Sequence, residues 1–461
     1  MAGMGNETKD RSVAPKTIAP TDRRFDVVIV GGGPAGMGAA LAARKSGASV
    51  AIVEREHRLG GILRQCIHPG FGLTHFKQEL TGPEYAQRFA NEVAKTDIAL
   101  FLDSMVISIE HKDDHDDVDD LGEKSRARHI VTLMSPDGMV QLAAGSTVLA
   151  MGCRERTRSE IKIPGSRPSG VFTAGLAQRY LNIENLRPGT RAVILGSGDI
   201  GLIMARRCAL EGIEVEGVYE LMPYANGLAR NIKNCLDDFG IPLHLSTTVT
   251  RIIGKKRLEA VEVSRVDEHL QPIPGSERTI PCDTLLLSVG LIPENELSSA
   301  AGVELDPRTR GSVVSQDLQT NVPGIFACGN VLHVHDLADN VTAEAERAGM
   351  AAAAFSLGMK STEEAPSACD LTVGPAGLAG YAVPGRITRL TNAKLNFRVR
   401  RPIENACVRI LAGNETLLEG KVRAFKPSIM ESFPVPKRIL ERTVAMGASG
   451  ITLSVDPVEE A

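Results

Sequence analysis

The stretch Phe25-Asp26-Val27-Val28-Ile29-Val30-Gly31-Gly32-Gly33-Pro34-Ala35-Gly36 decides the reading. Its first six residues form a short, β-branched apolar run, the pattern of a strand buried on both faces of a parallel sheet. The run passes straight into a glycine loop, and residues 37–45 then read as a helix. A second strand, 48–53, ends on Glu54, eighteen residues beyond Gly36. Strand, G-x-G-x-x-G, helix, strand and distal acid in that order make a dinucleotide fingerprint. Gly31 permits the tight turn, Gly33 lets backbone N–H groups approach a pyrophosphate, and Gly36 lets the helix close on the strand. Pro34 and Ala35 complete the loop. The helix N-terminus supplies partial positive charge, and Glu54 can accept from ribose hydroxyls.

The same device recurs. Ala192-Val193-Ile194-Leu195 reads as a strand, followed by Gly196-Ser197-Gly198-Asp199-Ile200-Gly201 and a helix through residues 204–210. The next strand ends at Glu220, nineteen residues beyond Gly201. The chain therefore carries two dinucleotide sites. An acid at Glu220, with no arginine in Leu221-Met222-Pro223-Tyr224, favours a free 2′-hydroxyl and hence NAD. Arg206 and Arg207 on the intervening helix keep NADP open.

Composition narrows the class. The chain has 461 residues, 43% of them hydrophobic, with 52 Lys+Arg against 56 Asp+Glu and a net charge of −4. That length suits about three domains at ~150 residues each, and the balanced charge argues against a nucleic-acid partner. No apolar run reaches the ~18–20 residues of a membrane span. Residues 1–24 are polar, so a disordered tail and no secretory leader are expected. Eight cysteines are too sparse for a disulfide scaffold and suit a reducing, cytoplasmic compartment.

Two fingerprints in this order resemble the two-dinucleotide-binding flavoproteins, the pyridine nucleotide-disulfide oxidoreductase superfamily. Further motifs carry the resemblance. Thr147-Val148-Leu149-Ala150-Met151-Gly152 is similar to the strand and glycine that return the chain from the first domain. Thr284-Leu285-Leu286-Leu287-Ser288-Val289-Gly290, then Ile292-Pro293-Glu294, is similar to its counterpart in the second. Thr320-Asn321-Val322-Pro323-Gly324-Ile325-Phe326-Ala327-Cys328-Gly329-Asn330 is similar to the second FAD motif, with Asn330 where the family has a ribityl-binding Asp. The resemblance implies an α/β fold of two Rossmann-like domains. FAD would occupy residues 25–155 and 285–360, and NAD(P) the inserted residues 156–284. It places Gly61, Gly152, Gly290, Gly329 and Asn330 among the cofactor-binding residues. It also implies that a helix beginning near Thr342 aims its N-terminus at the flavin pyrimidine.

Disulfide reductases of that superfamily carry two cysteines just after a Gly-Gly. Here only Cys66 follows Gly60-Gly61, and the C-terminal His-Glu pair is missing because His335 is the last histidine. A local dithiol relay is not expected. Cys66 is either a single redox cysteine or a packed thiol lining the flavin pocket. His68, His333 and His335 are candidates for proton transfer, the alternative for the last two being loop histidines that fix a turn. Two histidines and Asp336 fall short of a metal set, so no metal is expected. The His- and Asp-rich residues 111–120 lie between expected strands 106–110 and 129–134 and read as a solvated hairpin tip. Thr81-Gly82-Pro83-Glu84 reads as a helix start, with Tyr85, Phe89 and Val93 on the packed face.

The wording Gly60-Gly61-Ile62-Leu63-Arg64-Gln65-Cys66-Ile67-His68, with Cys328-Gly329-Asn330-Val331-Leu332-His333-Val334-His335-Asp336-Leu337, is similar to one bacterial branch. These are the FAD/NAD-binding flavoproteins associated with glycerol-3-phosphate dehydrogenase systems, related to flavoprotein subunits of amino-acid and opine dehydrogenases. The resemblance implies an FAD-dependent oxidoreductase passing electrons between NAD(H) and an acceptor or partner dehydrogenase subunit. Three alternatives stay open: an NADH oxidase or disulfide reductase using Cys66, a direct FAD-linked dehydrogenase of a small substrate, and a non-enzymatic dinucleotide sensor. A homo-oligomer also stays open. Residues 361–461 read as a small antiparallel β-rich interaction domain after a linker at 361–366. Its alternating stretches fall at 394–400, 407–411 and 417–425, with a helix at 437–446.

Overall fold

The computed structural model describes residues 23–111, 128–359 and 368–458. Most of the expected tail, most of the 111–120 tract and the 361–366 linker lie outside the described residues. The β-branched run at the first fingerprint forms the strand Arg24–Val30, which pairs in parallel with Val50–Val53 on one side and Gly138–Leu149 on the other. Val27, Val28 and Ile29 are fully buried there, as a strand covered on both faces requires. Ala99–Phe101 extends this sheet beyond Val50–Val53.

Gly138–Leu149 serves two arrangements. Its first half pairs antiparallel with His129–Ser135, which in turn pairs with Met105–His111. Its second half accepts Ile325–Ala327 in parallel, so the strand of the second FAD-like motif returns to the sheet it started from. The helix Pro34–Lys45 packs on the long helix Ala338–Ser356. That contact is close because a Cβ at Gly349 would stand 2.1 Å from the Ala39 carbonyl oxygen. The long helix starts at Ala338, four residues earlier than expected, which places Thr342 in its second turn with its hydroxyl 2.8 Å from that of Tyr85.

The second fingerprint nucleates its own parallel sheet in the order Val171–Thr173, Thr284–Leu287, Arg191–Leu195, Glu214–Tyr219, Leu243–His244. A three-stranded antiparallel sheet of Thr247–Gly254, Leu258–Arg265 and Arg278–Pro281 packs beside it. The chain passes from the first unit to the second along Cys153–Glu155 and returns along Leu291–Pro293. These two segments pair antiparallel, Leu291 opposite Glu155 and Pro293 opposite Cys153.

The C-terminal region is β-rich, but its main sheet is mixed rather than antiparallel. Ala368–Gly377 runs parallel to Gly450–Pro457, while Ile403–Ala412 pairs antiparallel with the latter. The expected strand at 417–425 breaks into Glu415–Glu419 and Arg423–Phe425, both hydrogen-bonded to Ile403–Ala412. The helix Lys437–Ala445 and a separate core around Leu395, Phe397 and Leu453 complete it.

At Thr81 the helix start takes the form expected. The Thr81 hydroxyl accepts from the Glu84 backbone N–H, and the Glu84 carboxylate accepts from the Thr81 N–H, a capping box. Tyr85, Phe89 and Val93 of that helix are each buried.

Candidate active site

Helix Pro34–Lys45 begins at Gly33 with no side-chain cap and no acid in its first turn. Its first N–H groups and the positive end of its dipole are therefore available to an anion. At Gly36 a Cβ would stand 1.7 Å from the Gly31 carbonyl oxygen, so only glycine lets the helix close on the loop. At Gly33 a Cβ would meet nothing nearer than the Gly61 Cα, at 4.0 Å. Gly329 approaches from the other side, where a Cβ would stand 2.9 Å from that of Ala35. The fold thus gathers Gly31, Gly33, Pro34, Ala35, Gly36, Gly61 and Gly329 around one helix N-terminus. An uncapped terminus facing a glycine cradle suits the pyrophosphate of a dinucleotide.

The two distal acids do similar work. Glu54 accepts the Gly32 N–H at 2.7 Å through one oxygen and the Glu56 N–H at 2.9 Å through the other. Glu220 accepts both the N–H and the hydroxyl of Ser197, at 2.9 and 2.6 Å, and the Met222 N–H at 2.9 Å. With about four acceptor positions on a carboxylate, Glu54 keeps two open and Glu220 keeps one.

A cavity of about 640 Å³ opens at the second fingerprint, lined by Gly196, Gly198, Glu220 and Gly290 together with Ser288, Arg156 and Lys162. Gly201 is not at its wall; it lets the helix Asp199–Leu210 close on Gly196, whose carbonyl oxygen a Cβ there would meet at 2.4 Å. Asp199 turns away to hold the next loop, accepting the Leu228 N–H at 2.8 Å and the Asn231 amide at 2.7 Å. Arg206 and Arg207 are also diverted. The first lies 5.6 Å over the Phe239 ring, and the second pairs with Glu211 at 2.6 Å. The cations that do reach the cavity, Arg156 and Lys162, carry no motif signal in the sequence.

Cys66 sits in a segment wedged against the second unit. Gln65 donates to the Gly175 carbonyl at 2.7 Å, and the Cys66 thiol lies 3.7 Å from the Gln178 amide oxygen. Burial pushes that thiol up to about 12, with no cation beside it to stabilise a thiolate. All eight cysteines are free. Burial also holds His68 below the ordinary histidine value, and its Nδ1 lies 3.0 Å from the Pro69 carbonyl oxygen.

Behind the Gly329-Asn330 turn lies a group that sequence proximity misassigns. Asn330 accepts the His335 N–H at 3.0 Å, and its amide points at the Cys153 sulfur at 3.6 Å. His333 and His335 converge on Glu344, from the long helix, rather than on the adjacent Asp336. Their side chains are 1% and 2% exposed, sealed from solvent. Burial works against the Glu344 charge, but the two facing imidazoles more than offset it and hold the carboxyl below the usual range. A lone acid on a helix face otherwise made of Val341, Ala345 and Ala348 was the available signal for Glu344.

Two glycine-loop units joined by a paired double crossing match one family. The family model for pyridine nucleotide-disulphide oxidoreductases aligns with residues 25–352. The chain belongs to this family. The family uses FAD and NAD(P)H. Among curated proteins, the chain is 26% identical over 320 residues to an opine oxidase subunit of Agrobacterium tumefaciens, covering 66% of this chain and 61% of that one. It is 27% identical over 299 residues to the HcnB subunit of hydrogen cyanide synthase from Pseudomonas protegens, covering 60% and 59%. The matched region thus spans about three fifths of these relatives' own length. Thioredoxin reductase of T. acidophilum superposes with a TM-score of 0.57 at 25% identity, covering 73% of this chain and all of that one. Among the described residues no helix is long and apolar enough to cross a membrane.

Proposed function

We propose that this chain is the flavin-bearing, pyridine-nucleotide-linked subunit of a multicomponent oxidoreductase, passing electrons between NAD(H) and an acceptor or a partner dehydrogenase subunit. One observation carries the reading. Both fingerprint helices start at a glycine N-cap with no side-chain cap, Gly33 on the first unit and Gly198 on the second, where a cavity of about 640 Å³ opens. Two such glycine cradles in one chain suit one FAD and one nicotinamide nucleotide. FAD would supply the hydride chemistry, and the protein's part is to bind, orient and exclude water. Gly31, Gly33, Gly36, Gly61 and Glu54 would hold the first cofactor; Gly196, Gly198, Glu220 and Gly290 the second.

The half-buried Cys66, with no cation beside its thiol and no second cysteine next to it in the sequence, favours direct flavin transfer over a thiol relay. The multicomponent role draws support from the names of two relatives, which belong to an oxidase and a synthase of more than one component. A glycerol-3-phosphate dehydrogenase partner rests on motif wording alone, and neither relative's name extends to it. Anaerobic titration of the flavin-loaded chain with NADH tests the proposal. Prompt bleaching of the visible flavin band supports it. A band that stays oxidised with both NADH and NADPH overturns it.

A further inference from the structure

His333, His335 and Glu344 bring three ligating atoms within 4.8 Å of one another. His333 Nε2 lies 2.8 Å and His335 Nε2 3.5 Å from the same atom, Glu344 Oε2. The other Glu344 oxygen is fixed by the Gly329 N–H at 2.8 Å.

The protons can be assigned from the neighbours. His335 Nδ1 lies 2.9 Å from the His333 carbonyl oxygen. A carbonyl oxygen only accepts, so Nδ1 carries the hydrogen, and in the neutral ring Nε2 is a bare lone pair. Nε2 faces a carboxylate oxygen, and a positive charge between the two, either a proton on the ring or a metal ion, holds them at this range. Arg398 does not supply it: it pairs with Asp336 at 3.6 Å and donates to the Val334 carbonyl at 3.2 Å. His333 offers nothing on its other side, since its Nδ1 is buried without a partner and the ring is engaged only through Nε2.

A ring N–H given to a backbone carbonyl, with the opposite nitrogen free, is how metal-ligating histidines are oriented. Tetrahedral bonds of ~2.0–2.1 Å place neighbouring ligand atoms about 3.3 Å apart, and the observed 2.8 and 3.5 Å bracket that edge. We propose that His333, His335 and Glu344 bind a divalent transition-metal ion of the zinc type, the fourth position going to water. The ion ties the Asn330 turn to helix Ala338–Ser356. The mixed nitrogen and oxygen donor set selects against magnesium and calcium, which take oxygen.

The test uses the full chain, flavin-loaded, stripped with chelator and dialysed against Zn²⁺, with metal and flavin measured on the same samples. The expected result is one tightly held Zn²⁺ per chain and a raised Tm. His335→Asn should weaken binding by at least about 100-fold, beyond the loss typical of an outer-shell change, while keeping flavin. Glu344→Gln should do the same wherever it folds. No stoichiometric Zn²⁺ on the wild-type chain overturns the site. Binding that is indifferent to His335→Asn also overturns it, since that is the behaviour of zinc on the free cysteines.

Discussion

Glu220 accepts the backbone N–H and the hydroxyl of Ser197 through a single carboxylate oxygen. The Ser197 hydroxyl in turn accepts the Asn226 N–H at 2.9 Å, so one side chain joins the glycine loop, the strand-end acid and the next loop. Ser197→Ala leaves the half-buried Asn226 N–H without its acceptor and takes one of two donors from the buried Glu220 oxygen, at a cost of about 1–2 kcal/mol. Denaturant unfolding should show that loss, and NADH should bind several-fold more weakly. Flavin content should stay at the wild-type level, because Ser197 belongs to the second unit only.

Two glycines of the first loop separate packing from ligand binding. Gly33 has φ −74° and ψ −172°, a conformation any residue adopts, and its Cβ would meet nothing within contact except Gly61 at 4.0 Å. Gly33→Ala should cost about 1 kcal/mol or less yet purify with little flavin. Gly36→Ala drives a methyl to 1.7 Å from the Gly31 carbonyl oxygen. It should lose flavin and destabilise by about 3 kcal/mol or more. Flavin absorbance and thermal melts on both variants check the contrast; equal flavin in Gly33→Ala and wild type would remove Gly33 from the binding site.

A thiol pushed up to about 12 is almost wholly protonated near neutrality. Iodoacetamide at about pH 8, near the ordinary thiol value, should therefore modify Cys66 far more slowly than a free cysteine, as mass spectrometry of the tryptic peptide would show. Cys66→Ser should keep the rate of flavin reduction by NADH within about twofold. A long-wavelength charge-transfer band in wild type that vanishes in Cys66→Ser would give the cysteine a redox role instead.

His129 supplies a pH dependence away from every proposed site. It is fully buried, and its Nε2 donates to the Pro323 carbonyl at 3.1 Å. Burial, then the neighbouring His111 and Arg128, lower it from 6.5 to about 4. Because the folded value is the lower one, the unfolded chain takes up the proton first as pH falls. The stabilisation is complete above about pH 6.5 and is lost on acidification towards pH 4. Over that window it amounts to roughly 3 kcal/mol. His129→Gln keeps a neutral donor, so its stability should fall less steeply between those pH values in urea titrations.

Both fingerprints were legible in the sequence because each is local. A strand, a loop whose glycines meet backbone at 1.7 or 2.4 Å, and a helix lie close together along the chain, and steric exclusion at Gly36 and Gly201 leaves no other residue. The Thr81 capping box was readable for the same reason. The start of the long helix is not legible in the sequence, because the cap-forming types Asp339 and Asn340 stand inside its first turn while Leu337 holds the N-cap without a side-chain cap.

Residue order alone established the two nucleotide units, their succession and the lack of a second cysteine beside Cys66. What the isolated side chains do was settled by packing. It turned Arg206 and Arg207 away from the cavity and brought in Arg156 and Lys162. It ran the C-terminal sheet mixed, by laying Ala368–Gly377 parallel to Gly450–Pro457 across more than seventy residues. It also replaced Asp336 with Glu344 as the acid facing His333 and His335. The cause is one of range. Steric and hydrogen-bond rules within a turn act on neighbours in sequence, whereas charge and burial act on neighbours in space, which only the packed helices and sheets define.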